Sequence, residues 1–463
     1  MPPALGSLVA STDALVARFP GDALAPGAAY RAAEVVHVYG DPAEARRRLE
    51  EVAVRWPGSD AGKRSTRVVV ESDLARRFDL GSEQLAQKSW TECAATFRGI
   101  ADGAPRHALA DRSLYNAAIC EEADHHAQEA SALLGRLVAE HAASPLAPEA
   151  LFRQASIDEA ASEFAKAAER YQLLLERYPG AKQAKDALYN RARLLEILQR
   201  YEEAGIAFER FASIGPPAEA PATLLHASEV FEKGAAWPDV VRTVQAYQRK
   251  RPPAGDPEQL VVSWVRLGRA EAARGRTDAA RAAWTRAVSE FSSRKLDPAT
   301  APVASPAVAE ARFRLAEREI PRIERAALPA TSSPARLEKA LKALLADVGK
   351  VSSQYEEVKR LGSPEWTVAA LYRQGWLAAR FARILEEAPA PPELAKAGSE
   401  QDLAAYRSQI QELARPYGEQ AVEACTAATR IAREHRVDTE WSRKAAELLE
   451  QERQRPSRAG RAG

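Results

Sequence analysis

Between Leu151 and Pro216 the large, small and polar positions of the chain follow an order that is written twice. Leu151, Ala155, Ala167, Tyr171, Leu174 and Pro179 return 37 residues on as Leu188, Ala192, Ala204, Phe208, Phe211 and Pro216. Within each copy the intervals are 4, 12, 4, 3 and 5 residues. Steps of three and four keep side chains on one helix face, so the pattern predicts two helices per copy, the first carrying two of these positions and the second the next three. Small alanines let the paired helices approach closely and aromatics fill the space beside them. The proline, which has no N–H to give, ends the second helix.

The same order extends in both directions. Upstream, one unit uses Ala29, Ala33, Ala45, Leu49, Val52 and Pro57, its second helix opened by Asp41-Pro42, an N-cap followed by proline at the first helical position. The next is degenerate, with a helix through Arg64 to Phe78 and then Cys93, Phe97, Ile100 and Pro105. A third runs Leu114, Ala118, Ala130, Leu134, Leu137. Downstream, Leu224, Ser228, Val240, Val244, Tyr247 and Pro252 make a sixth unit, and Trp264, Leu267, Gly268, Ala280, Trp284 and Ala287 a seventh. Before them all, Thr12 to Pro20 reads as the back half of a second helix whose front half is missing, a partial repeat or cap over residues 1–25, which suits a chain that begins further upstream. The array proper spans 26–291 in about seven units, followed by a breaker-rich linker at 292–305. Longer helices are expected over 306–452: Ala307 to Ala327 with a kink at Pro321, Pro334 to Leu361, Pro364 to Glu387, Ser399 to His435 and Thr439 to Glu450. Ala388 to Pro392 is a stiff proline elbow, and 453–463 a disordered basic tail.

These positions and intervals, with the Trp-x-x-Leu-Gly opening of the seventh unit, resemble the tetratricopeptide repeat (TPR). The fold class expected is all-α: a right-handed α-solenoid of TPR hairpins followed by a C-terminal region of longer helices. Trp56-Pro57-Gly58, Tyr178-Pro179-Gly180 and Ala187-Leu188-Tyr189-Asn190 are similar to the slightly long repeats of bacterial envelope proteins. Trp366 to Tyr372, Ala388 to Pro392 and Glu440-Trp441-Ser442 are similar to the region after the array in large myxobacterial TPR proteins, including those linked to gliding motility. The resemblance implies a bacterial scaffold in the periplasm or envelope, with the cytoplasm as the alternative.

Composition narrows the function classes. Formal charge is +1 from 65 basic and 64 acidic residues, mixed along the helices, which speaks against a nucleic-acid surface. Apolar runs are only a few residues long and mean hydropathy is −0.38, as for a soluble chain without a transmembrane segment. Cys93, Cys120 and Cys425 lie far apart among alanines and are expected as buried small hydrophobes rather than a disulfide framework or zinc site. The seven histidines include no recognisable catalytic arrangement, and there is no phosphate loop. No catalytic residue, metal or cofactor is therefore expected. Glu121, Glu122, Asp124, His125 and His126 crowd one turn, but adjacent helical histidines diverge and a charged turn is ordinary.

An array of this kind lines its concave face with first helices, a surface suited to an extended peptide or a partner helix. The two positions after each anchor leucine should face that groove: Tyr115 and Asn116, Phe152 and Arg153, Tyr189 and Asn190, with Arg193 one turn on. Asn offers a donor and an acceptor to a peptide backbone, and Arg two parallel donors to a carboxylate. The competing reading is that the aromatics pack against the neighbouring repeat. The expectation is a non-catalytic scaffold or adaptor for a protein or peptide. The alternative is the substrate-recruiting or regulatory portion of a larger enzyme or signalling protein.

Overall fold

The computed structural model describes residues 1–251, 255–397 and 399–455. Among them there are helices and turns and no strand. The chain divides into two compact units, residues 1–198 and 199–463.

Unit 1 contains α1 (Pro3–Arg18), α2 (Ala25–Tyr39), α3 (Pro42–Arg55), α4 (Asp60–Ala86), α5 (Trp90–Gly103), α6 (Ala110–Ala123), α7 (Ala127–Glu140), α8 (Ala147–Ala160), α9 (Phe164–Arg177) and α10 (Ala184–Ile197). Each packs on the next. The repeat positions form the seams: Leu114, Leu134, Leu137, Leu151, Tyr171 and Leu174 are buried, as are Ala118, Ala130, Ala155 and Ala167. The turn inside a hairpin is built the same way each time. Lys88, His125 and Ser162 adopt left-handed φ near 62°, 37 residues apart, and the following N–H reaches back five residues, as in His126 N to Glu121 O at 2.8 Å. His125 is thus a turn residue. The junction between hairpins is also tied periodically, since Trp56 Nε1 donates to Pro20 O and Tyr178 Oη to Ala142 O, both 36 residues back.

Three features of unit 1 depart from the sequence expectations. Helix α1 is a full helix from Pro3 rather than a half-helix. Helix α4 runs 27 residues, well past the expected Arg64 to Phe78, because nothing between Asp60 and Ala86 breaks it. Most important, Cys93 and Cys120 are joined by a disulfide, where two separate thiols were expected. They lie on α5 and α6, which pack side by side and bring Cα atoms 27 residues apart in sequence to 6.1 Å. Closing a loop of that length removes denatured-state entropy worth about 3.5 kcal/mol. Reduction, or Cys93→Ala with Cys120→Ala, should lower the stability of unit 1 by up to that amount, read as a lower urea midpoint than that of the oxidised protein.

Unit 2 continues with α11 (Tyr201–Ile214), α12 (Ala220–Lys233), α13 (Trp237–Lys250), α14 (Pro257–Ala273) and α15 (Thr277–Ser293). Pro252 of the expected sixth unit lies outside the described residues. In the seventh unit the indole of Trp284 packs against Gly268, where a Cβ would come within 2.2 Å of Nε1, so glycine is required by the close approach. Helix α16 (Ala304–Ala316) packs on both α14 and α15, and its first N–H groups are capped by Glu258, which accepts from Val303 N and Ala304 N at 2.8 Å.

The expected kink at Pro321 is a full break. Helix α16 stops at Ala316, a 3-10 turn follows, and Pro321 stands in the first turn of α17 (Ile320–Glu324). Then come α18 (Pro334–Lys359), α19 (Pro364–Glu386), α20 (Pro392–Ala397), α21 (Glu400–Glu434) and α22 (Glu440–Gln454). Helix α19 is the centre of this part, packing on α18, α21 and α22. Gly375 of α19 lets α21 come close, its absent Cβ replaced by the Cys425 sulfur. Cys425 is buried, as expected, and burial pushes its thiol up to about 12. Phe313 of α16 fills the hub between Tyr355, Trp366 and Trp441, with ring centroids 5.5, 5.3 and 4.9 Å away. Arg455, read as part of the basic tail, bridges Glu452 and Glu386, and residues 456–463 lie outside the described residues.

Candidate functional site

The sequence-predicted site residues all fall in unit 1, on three first helices. Tyr115 and Asn116 stand on α6, Phe152 and Arg153 on α8, and Tyr189, Asn190 and Arg193 on α10. Each pair follows a buried leucine, Leu114, Leu151 or Leu188. Helical geometry turns these two positions away from the seam by 100° and 200°, so they reach its rim. Tyr115, Asn116, Phe152, Arg153 and Asn190 are half-buried, while Tyr189, at 40% exposure, and Arg193 face solvent.

The structure brings some of these side chains together. Arg153 spans from α8 to α6, its guanidinium 5.8 Å from the Tyr115 ring and its Nη1 2.5 Å from Glu122. Tyr115 is desolvated there, which holds its phenol above the ordinary tyrosine range. Phe152 packs edge-on to Tyr171 of α9 at 5.4 Å. The Tyr171 phenol accepts a hydrogen bond from Asn190 Nδ2 at 3.2 Å and lies 3.4 Å from Ser156 Oγ; burial raises its pKa too. Tyr171 was assigned to the core by its spacing, and its polar end is the link that sequence reasoning missed. Asn116 makes no side-chain hydrogen bond among the described residues. The face therefore offers one braced cation beside an aromatic ring, an amide with open donor and acceptor, and an exposed tyrosine and arginine on α10.

The acidic turn after α6 is already paired. Arg98 and His126 both hold Glu121, and Thr91 donates to Asp124 at 2.9 Å. Among the described residues no group of three or more His, Cys, Asp or Glu is placed to hold a metal ion. No helix among them is long and apolar enough to cross a membrane.

Unit 2 has a separate concavity of about 520 Å³, lined by side chains from α14, α15, α16, α19 and α22, among them Trp284, Trp366 and Trp441. Its residues are scattered over more than 170 positions of sequence, so no local motif announces it. The available signal is the clustering of tryptophan: Trp237, Trp264, Trp284, Trp366, Trp376 and Trp441 all fall in this half.

The family model of the tetratricopeptide repeat matches residues 149–181, which contain α9 and nearly all of α8. No curated protein matches the chain. Among solved structures, it is similar to a tetratricopeptide repeat protein from Parabacteroides merdae, at 15% identity over 63% of this chain and 97% of that one, with a TM-score of 0.30. It is similar also to the C-terminal part of a TPR repeat-containing protein from Cytophaga hutchinsonii, at 13% identity over 58% and 94%, TM-score 0.31. A third is MamA from Desulfovibrio magneticus, at 14% identity over 40% and 97%, TM-score 0.26. Residues 149–181 thus match the tetratricopeptide repeat, and helical hairpins of the same length recur at its 37-residue period from α6 to α11.

Proposed function

We propose that this protein is a non-catalytic scaffold that holds an extended segment of a protein partner against the first helices of unit 1. The observation that carries this reading is the recurrence, after a buried leucine on α6, α8 and α10, of an aromatic side chain beside an amide or guanidinium at the rim of the seam. Such a ladder matches an extended peptide, whose backbone needs donors and acceptors at intervals and whose side chains need apolar rests. Tyr115 and Tyr189 supply the rests. Asn116 and Arg193 supply the polar contacts, and Arg153, fixed by Glu122, is preorganised for a carboxylate. Phe152 supports this face from behind through Tyr171. The junctions Trp56-Pro57-Gly58 and Tyr178-Pro179-Gly180, of the envelope type, support a partner within a bacterial envelope or motility assembly.

The test is affinity capture from native extract with the wild-type chain and with Tyr115→Ala/Tyr189→Ala/Asn190→Ala as parallel baits. The partner's binding should weaken at least tenfold in the triple variant, with helicity retained and only a small fall in melting temperature. Equal capture by both baits would remove this face from the account.

A further inference from the structure

The disulfide of unit 1 joins two positions that the repeat itself sets face to face. Cys93 stands where Ala130 and Ala167 stand in the following hairpins, and Cys120 where Ile157 and Leu194 stand, at steps of 37 residues. The 27 residues from Cys93 to Cys120 are therefore the same interval as from Ala130 to Ile157 and from Ala167 to Leu194. Each is a step from the second helix of one hairpin to the first helix of the next, α5 to α6, α7 to α8 and α9 to α10, and each of these helix pairs is packed together. A crossing filled elsewhere by alanine against a branched apolar side chain is filled here by two sulfurs.

Once the helices have closed, the bond is out of reach. Cys93 and Cys120 are both fully buried, as are Phe97, one turn along α5, and Ala117, one turn back on α6. Two polar clasps tie the same helices beside the bond. Arg98 of α5 pairs with Glu121, the neighbour of Cys120, and Thr91 donates to Asp124 at 2.9 Å. Thiol–disulfide exchange requires an incoming thiolate to reach one of the sulfurs, and the folded unit offers no approach to either. The bond is therefore made while α5 and α6 are still coming together. The third cysteine, Cys425, is buried in unit 2 with its thiol held up to about 12, and it remains a free thiol.

We infer that this protein is a client of a disulfide-donating thiol oxidase and that it folds in an oxidising compartment. The step is a dithiol–disulfide exchange. One thiolate of the pair attacks the donor's disulfide to give a mixed disulfide, and the second thiolate attacks the bound sulfur and closes the Cys93–Cys120 bond. The donor leaves as a dithiol that carries away the two electrons and, with the medium, the two protons. A reducing compartment would hold both cysteines as thiols, and burial would then preserve the thiols as it here preserves the bond. The inference uses no residue of the partner face and its test needs no partner, so either can fail alone.

The experiment traps thiols in the cells that make the protein, by acid quenching and N-ethylmaleimide under denaturing conditions, followed by reduction and a polyethylene glycol maleimide that shifts the band. Two cysteines should take the second label, and only after reduction, in protein recovered from outside the cytosol. Digestion without reduction should yield one linked peptide pair, containing Cys93 and Cys120. Reduced glutathione should break the bond of the purified protein about a hundredfold faster in urea than in buffer, because only opening of the unit exposes the sulfurs. Absence of the second label, a bond to Cys425, oxidised protein recovered with the cytosol, or equal rates of reduction in urea and buffer would each overturn the inference.

Discussion

Phe313→Ala should destabilise unit 2 by about 3–5 kcal/mol, the largest effect expected of any single side chain in this protein. Phe313 is fully buried on α16, and its ring contacts Tyr355 of α18, Trp366 of α19 and Trp441 of α22 together. Truncation removes its transfer free energy and leaves a void that these three rings cannot close. Tyr355 is pinned elsewhere by its hydrogen bond to Glu317 at 2.6 Å, and Glu317 in turn by Arg373. Phe313→Leu should recover roughly half of the loss, because it restores volume without the edge contacts. Urea unfolding followed by tryptophan fluorescence reads both variants, since two of the contacting side chains are tryptophans. A loss under 1 kcal/mol for the alanine variant would mean that α16 is not packed at the hub as described.

Glu232→Ala should cost about 3 kcal/mol for a different reason. Glu232 of α12 accepts from Arg266 Nε at 2.9 Å and from Arg269 Nη1 at 3.2 Å, and so serves two guanidiniums of α14. Arg266 is 7% exposed and has, besides, among the described residues only the Leu225 carbonyl and the Ser228 hydroxyl at 3.1 Å and a longer approach to Glu229 at 3.5 Å. Removing Glu232 strands a buried charge, whereas removing both charges does not. The double variant Arg266→Met/Glu232→Leu should therefore be markedly more stable than Glu232→Ala alone. Chemical denaturation of the two variants checks the order. If the double variant were the less stable, the pair would be contributing through its hydrogen bonds rather than merely compensating its own burial.

The repeat was legible because its seam positions obey a helical period that survives replacement of every other residue. Leu151, Ala155, Ala167 and Tyr171 could be read from spacing alone and are buried as that spacing demands. Features that depend on contact between different hairpins were not legible. Cys93 and Cys120 sit on successive helices of adjoining hairpins, and 27 residues of separation reveals nothing until the turns between them are built. The length of α4 escaped because a degenerate stretch without a breaker carries no stop signal. In the candidate site, the spacing placed each pair directly after a leucine that is buried. It did not predict that Phe152 would be drawn in toward Tyr171, or that Glu122 would hold Arg153 across to Tyr115, since both contacts join residues of different helices. The tryptophan-walled cavity of unit 2 is the extreme case, gathering side chains from five helices.

The central claim, that a partner is held along α6, α8 and α10, is tested most directly by hydroxyl-radical footprinting of the captured complex against the free protein. Tyr189 and Tyr115 should lose reactivity on binding, Tyr189 the more because it is the more exposed, while Tyr171, buried in both states, stays unreactive. Unchanged reactivity of Tyr115 and Tyr189, with protection confined to other surfaces, would contradict the account.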